Sequence, residues 1–501
     1  MVCYDRNDNT GLWDFKWKRK LNHWVPNMSA VVNYSPMNEA TPAVVCQVED
    51  FGAATEDFGR PCTIATPESL GTLLLCADNG SRGITYNGRN GDALPWFPIE
   101  SWYALDPEHP MAHDEITTFL TESGFVTDLT WPTGTHRSQH VFGSAAIANR
   151  DFSADVQYPG GDHKNRWFYY PGCNENAPGV LYGVKAACPI VGTDGIYYDQ
   201  YNNPHPTNPI PFIPDNETHN DPEQCWARYL TNIGPIAEGN STSTPVTLPR
   251  EGSGSPYDVY IIVTDAFHNE HGAKPTGVLA KFDGSGLTLT TGPDYGMMGY
   301  SVPFPWYRWD ASGRPSIVSP VYADLGELGK RIFVSAPDGI RVFNAAAFSG
   351  ANVGPVLNIL PTAWNPQNPV WQITSQPVIY KQGGTCWVFY VESLVSNDQV
   401  WHLVAYPYPG GTPWISTPIA TTETCSTQPY YEDNELWIAA DNKLYRWDFV
   451  PAGTSNTVVD YIGPSSRVGS YCHSSCSFPQ CADDQYGYFG GRDGKIYQFG
   501  L

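Results

Sequence analysis

One short unit recurs along this chain and restricts it to a series of small antiparallel sheets. Each copy begins with a strand near a small residue and Pro. A second strand of aromatic and β-branched residues follows and ends in Asp, Asn or Gly, and a third carries an apolar-Tyr/Phe pattern. Thr41-Pro-Ala-Val-Val-Cys46, Gly71-Thr-Leu-Leu-Leu-Cys-Ala-Asp-Asn-Gly80 and Gly83-Ile-Thr-Tyr86 make the first copy. Ser375-Gln-Pro-Val-Ile-Tyr380, Cys386-Trp-Val-Phe-Tyr390 and Trp401-His-Leu-Val-Ala-Tyr406 make the fifth. The anchors Pro42, Ala145, Pro245, Pro320, Pro377, Pro429 and Pro479 stand 103, 100, 75, 57, 52 and 50 residues apart. The later gaps match a four-stranded blade and the first two leave room for insertions.

Composition agrees with short strands and turns. Charged residues are 16% and aromatics 14%, with 47 Gly and 44 Pro. The expected fold is all-β: a seven-bladed β-propeller in a single domain over residues 1–501, with an eighth blade as the alternative inside one long gap. Insertions are expected at about 98–140 and 189–240. The first contains a short helix over Asp106–Leu120, and the second contains the Pro-rich stretch Tyr201–Pro214 and a helical turn over Glu223–Leu230. The seventh unit ends with Lys495-Ile-Tyr-Gln-Phe-Gly-Leu501, without the Trp strand that often follows, whereas Thr10-Gly-Leu-Trp-Asp-Phe-Lys-Trp17 is a Trp strand with no unit. Residues 1–20 are therefore expected to complete the last blade and close the ring.

The units Leu444-Tyr-Arg-Trp-Asp448, Asp493-Gly-Lys-Ile-Tyr497 and Gly83-Ile-Thr-Tyr86 through Trp96 resemble the repeats of quinoprotein-like (PQQ-like) β-propellers. In that family a glycine precedes an apolar-Tyr-apolar strand and an outer Trp docks on the next blade. The resemblance would imply a quinone-dependent dehydrogenase if the cofactor apparatus were present. The family's adjacent cysteine pair is missing, and Cys472-His-Ser-Ser-Cys476 places its His inside the pair rather than after it. The resemblance therefore implies the fold and no bound cofactor.

A net charge of −23 repels phosphate backbones, so nucleic acid is not an expected partner. The one dense cationic stretch, Lys16-Trp-Lys-Arg-Lys20, reads as a charged edge strand. No apolar run approaches the ~20 residues that span a bilayer, and the start lacks a signal-peptide profile. Twelve cysteines without zinc spacing favour an oxidising, extracellular setting with up to six disulfides. Candidate disulfide cysteines are Cys46 with Cys62 or Cys76, Cys173 with Cys188, and Cys472, Cys476 and Cys481 near the end; with His473, these last three are also a weaker zinc candidate. Sequons at Asn27, Asn33, Asn79, Asn216 and Asn240 are candidate N-glycosylation sites.

Asp5-Arg-Asn-Asp-Asn-Thr-Gly11 alternates oxygen ligands, which makes a structural calcium a candidate ion, but Lys16 stands where a calcium loop has its acidic residue. Val302-Pro-Phe-Pro-Trp-Tyr-Arg-Trp-Asp310 concentrates aromatics between two units, so Trp306, Tyr307 and Trp309 form the candidate binding loop, with packing between blades as the other reading. No Gly-x-Ser-x-Gly, His-Glu-x-x-His or phosphate-loop motif is present. The expected function is non-catalytic: a secreted structural or recognition component that binds protein or glycan through its loops, including copies of itself in a larger assembly. The alternative is a propeller enzyme acting on carbohydrate or alcohol, either glycosidase-like or a degenerate quinoprotein dehydrogenase.

Overall fold

A computed structural model describes the strands named below up to residue 205, then residues 225–249, 257–265, 275–284, 297–307, 318–382, 384–421, 425, 428–432, 434–440 and 443–449, and finally the last strands. Among the described residues every regular element is a strand or a 3-10 turn. The chain divides into two compact units. One comprises Met1–Asn232, Thr247–Val259 and Phe282–Met297, and the other Ile233–Val246, Tyr260–Lys281 and Met298–Leu501.

In the first unit β1 (Val2–Arg6) pairs with β2 (Trp13–Lys18), and β3 (Val44–Gln47), β4 (Thr72–Ala77) and β5 (Gly83–Asn87) make a meander. The strands β6 (Ala146–Asp151), β7 (Lys164–Gly172) and β8 (Val180–Ala186) make the next meander. A small sheet of β9 (Ile190–Val191), β10 (Tyr197–Tyr198) and β11 (Pro204–His205) follows, with Pro204 on an edge strand, where a missing N–H costs no ladder bond. Then β12 (Cys225–Tyr229) pairs antiparallel with β8 and becomes the outer strand of the β6–β8 sheet. The expected helical turn over Glu223–Leu230 is thus corrected: the open edge of β8 takes Cys225–Tyr229 as a strand. The expected helix over residues 106–120 lies outside the described residues.

The hairpin β13 (Thr231–Ile233) and β14 (Ile236–Glu238) leads to a sheet of β15 (Val246–Pro249), β16 (Tyr257–Thr264), β17 (Thr276–Asp283) and β18 (Met297–Ser301), with β19 (Phe304–Pro305) also on β17. Next come β20 (Val321–Asp324), β21 (Lys330–Ala336), β22 (Gly339–Asn344) and β24 (Leu357–Ile359), while β23 (Gly350–Val353) crosses to pair in parallel with β18. The next sheet has a split first strand, β25 (Trp371–Ile373) and β26 (Val378–Gln382), then β27 (Thr385–Leu394) and β28 (Val400–Tyr408), then a split fourth strand, β29 (Trp414–Ile415) and β30 (Ile419–Ala420). After it come β31 (Tyr430–Glu432), β32 (Glu435–Ala440), β33 (Lys443–Asp448) and β34 (Tyr461–Ile462), and last the hairpin β35 (Tyr486–Gly490) and β36 (Ile496–Gly500).

Closure of a ring by the two ends is not formed among the described residues. Trp13–Lys18 pairs with Val2–Arg6 and Ile496–Gly500 pairs with Tyr486–Gly490, each within its own hairpin. The physical reason is loop length: a partner a few residues away is reached at lower closure entropy than one at the far end of the chain.

The sequence of β27 shows how these sheets stack. Its run Cys386-Trp-Val-Phe-Tyr-Val391 is apolar without alternation because both faces are covered. Cys386, Val388 and Tyr390 pack with Phe333, Ile340, Val342 and Ile359 of the preceding sheet. Trp387, Phe389 and Val391 pack with Leu436, Ile438 and Trp447 of the following one. First strands lie side by side, β20 next to β26 and β26 next to β31. Ser319, just ahead of β20, is bonded to the segments ahead of β15 and β26, accepting from the Thr244 N–H at 2.8 Å and donating its own N–H to Gln376 Oε1 at 3.3 Å.

Candidate functional site

The continuation of β27 breaks its apolar run with a carboxyl group. Glu392 is the next residue on the Cys386–Val388–Tyr390 face and is fully buried, and the register sets it opposite His402 on β28. His402 Nε2 stands 2.8 Å from Glu392 Oε2, and the imidazole, itself 2% exposed, lies against the Trp371 ring with centroids 3.9 Å apart. The backbone N–H of Thr362 donates to both oxygens, at 3.0 Å and 3.1 Å. Tyr390 hydrogen-bonds Glu392 from the same face, and burial, reinforced by the charge of Glu392, holds its phenol well above the usual tyrosine range. The hydroxyl therefore stays a donor, and one buried carboxyl gathers an amide, an imidazole and a phenol.

Thr362 opens the loop 360–370, which follows β24 and leads into β25. Internal turns order it: the Trp364 N–H donates to Pro361 O, the Asn368 N–H to Asn365 O, and the Gln367 N–H to Asn365 Oδ1 at 3.0 Å. Its far end is tied by the Val395 N–H, which donates to Val370 O at 2.9 Å. On this frame Leu360, Val370 and Val395 are 54%, 42% and 44% exposed, and Trp364 and Trp371 are half-buried. The loop thus carries exposed aliphatic groups above titratable groups that are sealed from solvent.

The predicted aromatic loop is a different object. Trp306 is buried, its N–H donating to Pro275 O at 2.7 Å and its ring packing on Phe304 and Tyr307. The ring is thus enclosed rather than presented to solvent, and Gly277 leaves the space into which Phe304 and Trp306 settle. Tyr307 is half-buried with its hydroxyl enclosed and without a hydrogen-bond partner, and burial first, then Asp338, holds its phenol up against the opposing Arg341. Trp309 lies outside the described residues.

Of the sequons, Asn240 is fully buried and bridges to Thr264, which leaves no room for a glycan on it in the folded chain. Asn27, Asn33, Asn79 and Asn216 lie outside the described residues. Cys46 faces Leu73, and Cys76 faces Ile84, three positions further along β4. Cys62, Cys173, Cys188, Cys472, Cys476 and Cys481 are outside the described residues, as is most of the turn from Asp5 to Lys16. Cys386 is a buried thiol outside any disulfide, so the expected ceiling of six disulfides is lowered. Burial pushes the Cys386 thiol up to about 11, with Lys381 opposing. No helix of the described residues is long and apolar enough to cross a membrane.

No family model matches the chain, and no curated protein matches it either. Similar solved structures include Sqt1 of Saccharomyces cerevisiae, at 8% identity over 86% of this chain and 82% of that one, with a TM-score of 0.42. A europium-containing methanol dehydrogenase is similar at 9% identity over 99% and 78%, with a TM-score of 0.40. The polysaccharide lyase Uly1 is similar at 10% identity over 86% and 87%, with a TM-score of 0.34. Likeness at TM-scores of 0.42, 0.40 and 0.34 leaves the architecture to be argued from the sheets themselves.

Proposed function

We propose that the chain is a binding module, a β-propeller of seven blades that docks a partner protein on the loop 360–370. The observation that carries the reading is an ordered loop, tied at Thr362 and Val370, that holds Leu360 and Val370 about half exposed. A loop ordered before binding loses little conformational entropy when it docks, and aliphatic groups at its surface supply the contact area. Support for the propeller comes from four-stranded meanders in chain order whose first strands lie side by side. An extracellular setting, with disulfides among the remaining cysteines, is part of the same proposal. The partner is a protein and not a glycan, because the exposed groups are aliphatic and the Trp306 face is closed.

Photo-crosslinking tests this. A photoreactive residue at Leu360 or Val370 should give one discrete protein adduct that excess unmodified chain competes away. Leu360→Asp with Val370→Asp should abolish it. An identical adduct pattern from a probe at exposed Asn434, in the following sheet, would sink the reading.

A further inference from the structure

The registers allow the hairpins of this chain to be compared position by position. Val378 faces Phe389 at the start of the β26–β27 pairing, Val321 faces Phe333 in the preceding sheet and Tyr430 faces Trp437 in the following one. Each of these pairs begins directly after the anchor proline. Three residues further along the second strand stand Glu392, Ala336 and Ala440.

Serine bonds set the same count in the β16–β17 sheet. Ser243 Oγ accepts from the Ile262 N–H at 3.0 Å as Ser375 Oγ accepts from the Val391 N–H at 2.9 Å, so Val263 corresponds to Glu392. Ser301 Oγ accepts from the Leu279 N–H as Ser416 Oγ accepts from the Leu403 N–H, both at 3.0 Å, so Val278 corresponds to His402. The Asp265 N–H donates to Thr276 O, which places Val263 opposite Val278 two residues in. Val263, Ala336 and Ala440 are as buried as Glu392.

Three sheets thus close this position with an apolar side chain, and one fills it with a carboxyl backed by an imidazole. A buried carboxyl–imidazole pair is weak evidence of stability, since apolar replacements of similar volume are often neutral or better. What Glu392 adds is a bond outside its own sheet, to the Thr362 N–H, 30 residues earlier in the chain. The other bonds of the loop are local turns, apart from the Val395 tie at its end.

We infer that Glu392 and His402 are positioning residues, a latch that holds the loop 360–370 in its docking conformation and that the sheet itself does not need. Glu392 takes the amide, while His402, braced on Trp371, fixes the orientation of the carboxyl. The consequence for partner binding rests on the loop being the docking surface, whereas the latch does not.

Hydrogen exchange on the full chain separates the two. In the double variant Glu392→Val/His402→Val, which copies the β16–β17 pair, the Thr362 and Trp364 amides should exchange ~10- to ~100-fold faster, the range expected for a lost hydrogen bond to a charged group. The Phe389 and Leu403 amides of the same sheet should keep their parent protection. Glu392→Gln, which keeps one acceptor oxygen and loses the charge, should give an intermediate rate. Unchanged Thr362 exchange in both variants would overturn the latch. So would loss of protection throughout β27 and β28, or failure of the double variant to fold, because the pair would then be holding the sheet. A released loop with undiminished crosslinking would sink the docking proposal and leave the latch standing.

Discussion

Substituting Gly277 by Ala tests whether the aromatic segment 304–307 is core. A Cβ there would stand 2.8 Å from Phe304 Cε2 and 3.0 Å from Trp306 Cε3, whereas carbon atoms rest at ~3.5–4.0 Å. Both rings would have to withdraw by roughly half an ångström or more to reach that separation. Neither has room to do so. Phe304 carries the Arg341 guanidinium on its face at 4.9 Å, and two bonds of 2.8 Å hold that guanidinium to Asp338. Trp306 is tethered through its backbone to Pro275. Overpacking of this kind costs ~1–3 kcal/mol, against ~0.4–1 kcal/mol gained because Ala narrows the unfolded ensemble.

The expected balance is a destabilisation of about 1–2 kcal/mol. Urea unfolding should show a lower midpoint with an unchanged slope. Adding Phe304→Leu should recover part of the loss, and the coupling between the two changes should exceed ~0.5 kcal/mol, as for side chains in contact. A midpoint for Gly277→Ala at or above the parent value would refute the packing argument and return Trp306 to the surface as a ligand platform.

Removing one member of the buried pair should behave unlike replacing both. Glu392→Ala leaves the Thr362 N–H, His402 and the Tyr390 hydroxyl without their acceptor and should cost ~3–5 kcal/mol in a thermal melt, and an unshifted melt would mean that the pair is not formed. The Cys386 thiol, pushed up to about 11 by burial, should resist alkylation of the native protein at pH 8. Because a raised thiol pKa leaves the neutral form dominant until pH approaches it, the rate should climb as pH rises, and rapid native labelling at pH 8 would contradict the buried position. Peptide mapping after enzymatic deglycosylation should find Asn240 unmodified; a glycan there would show that residues 240–246 are placed differently.

The sheets were legible because their signals are local. An aromatic or β-branched run between Gly, Asn and Pro is a strand wherever it ends up, and Arg331–Ser335, Cys386–Tyr390 and Glu435–Ala439 all fall within strands. Elements whose state is set by a neighbour were not legible. Cys225–Tyr229 has no strong preference of its own and became a strand because β8 offers an edge 41 to 49 residues earlier in the chain. The aromatics at 304–307 read as a surface loop because their prolines exclude a central strand, which is correct for the backbone. Burial of the rings depended on Gly277, whose missing side chain has no local meaning.

The candidate site did leave a trace in the sequence, though in no motif. Glu392 follows the six residues of the run Cys386–Val391, which must be buried on alternating faces, so a carboxyl there has to be buried, exposed by the end of the sheet, or partnered. Its partner was within reach of the same reasoning: pairing two runs as an antiparallel hairpin brings His402 opposite Glu392. The third member was beyond it. Thr362 contributes only its backbone, which every residue but proline has, and nothing in the sequence distinguishes one amide from another. A site whose recognition element is a side chain on one sheet and a main-chain N–H from the loop before it can be read from the sequence only as a charge out of place. In this chain that misplaced carboxyl ties one end of the exposed loop to the sheet, as the Val395 N–H ties the other.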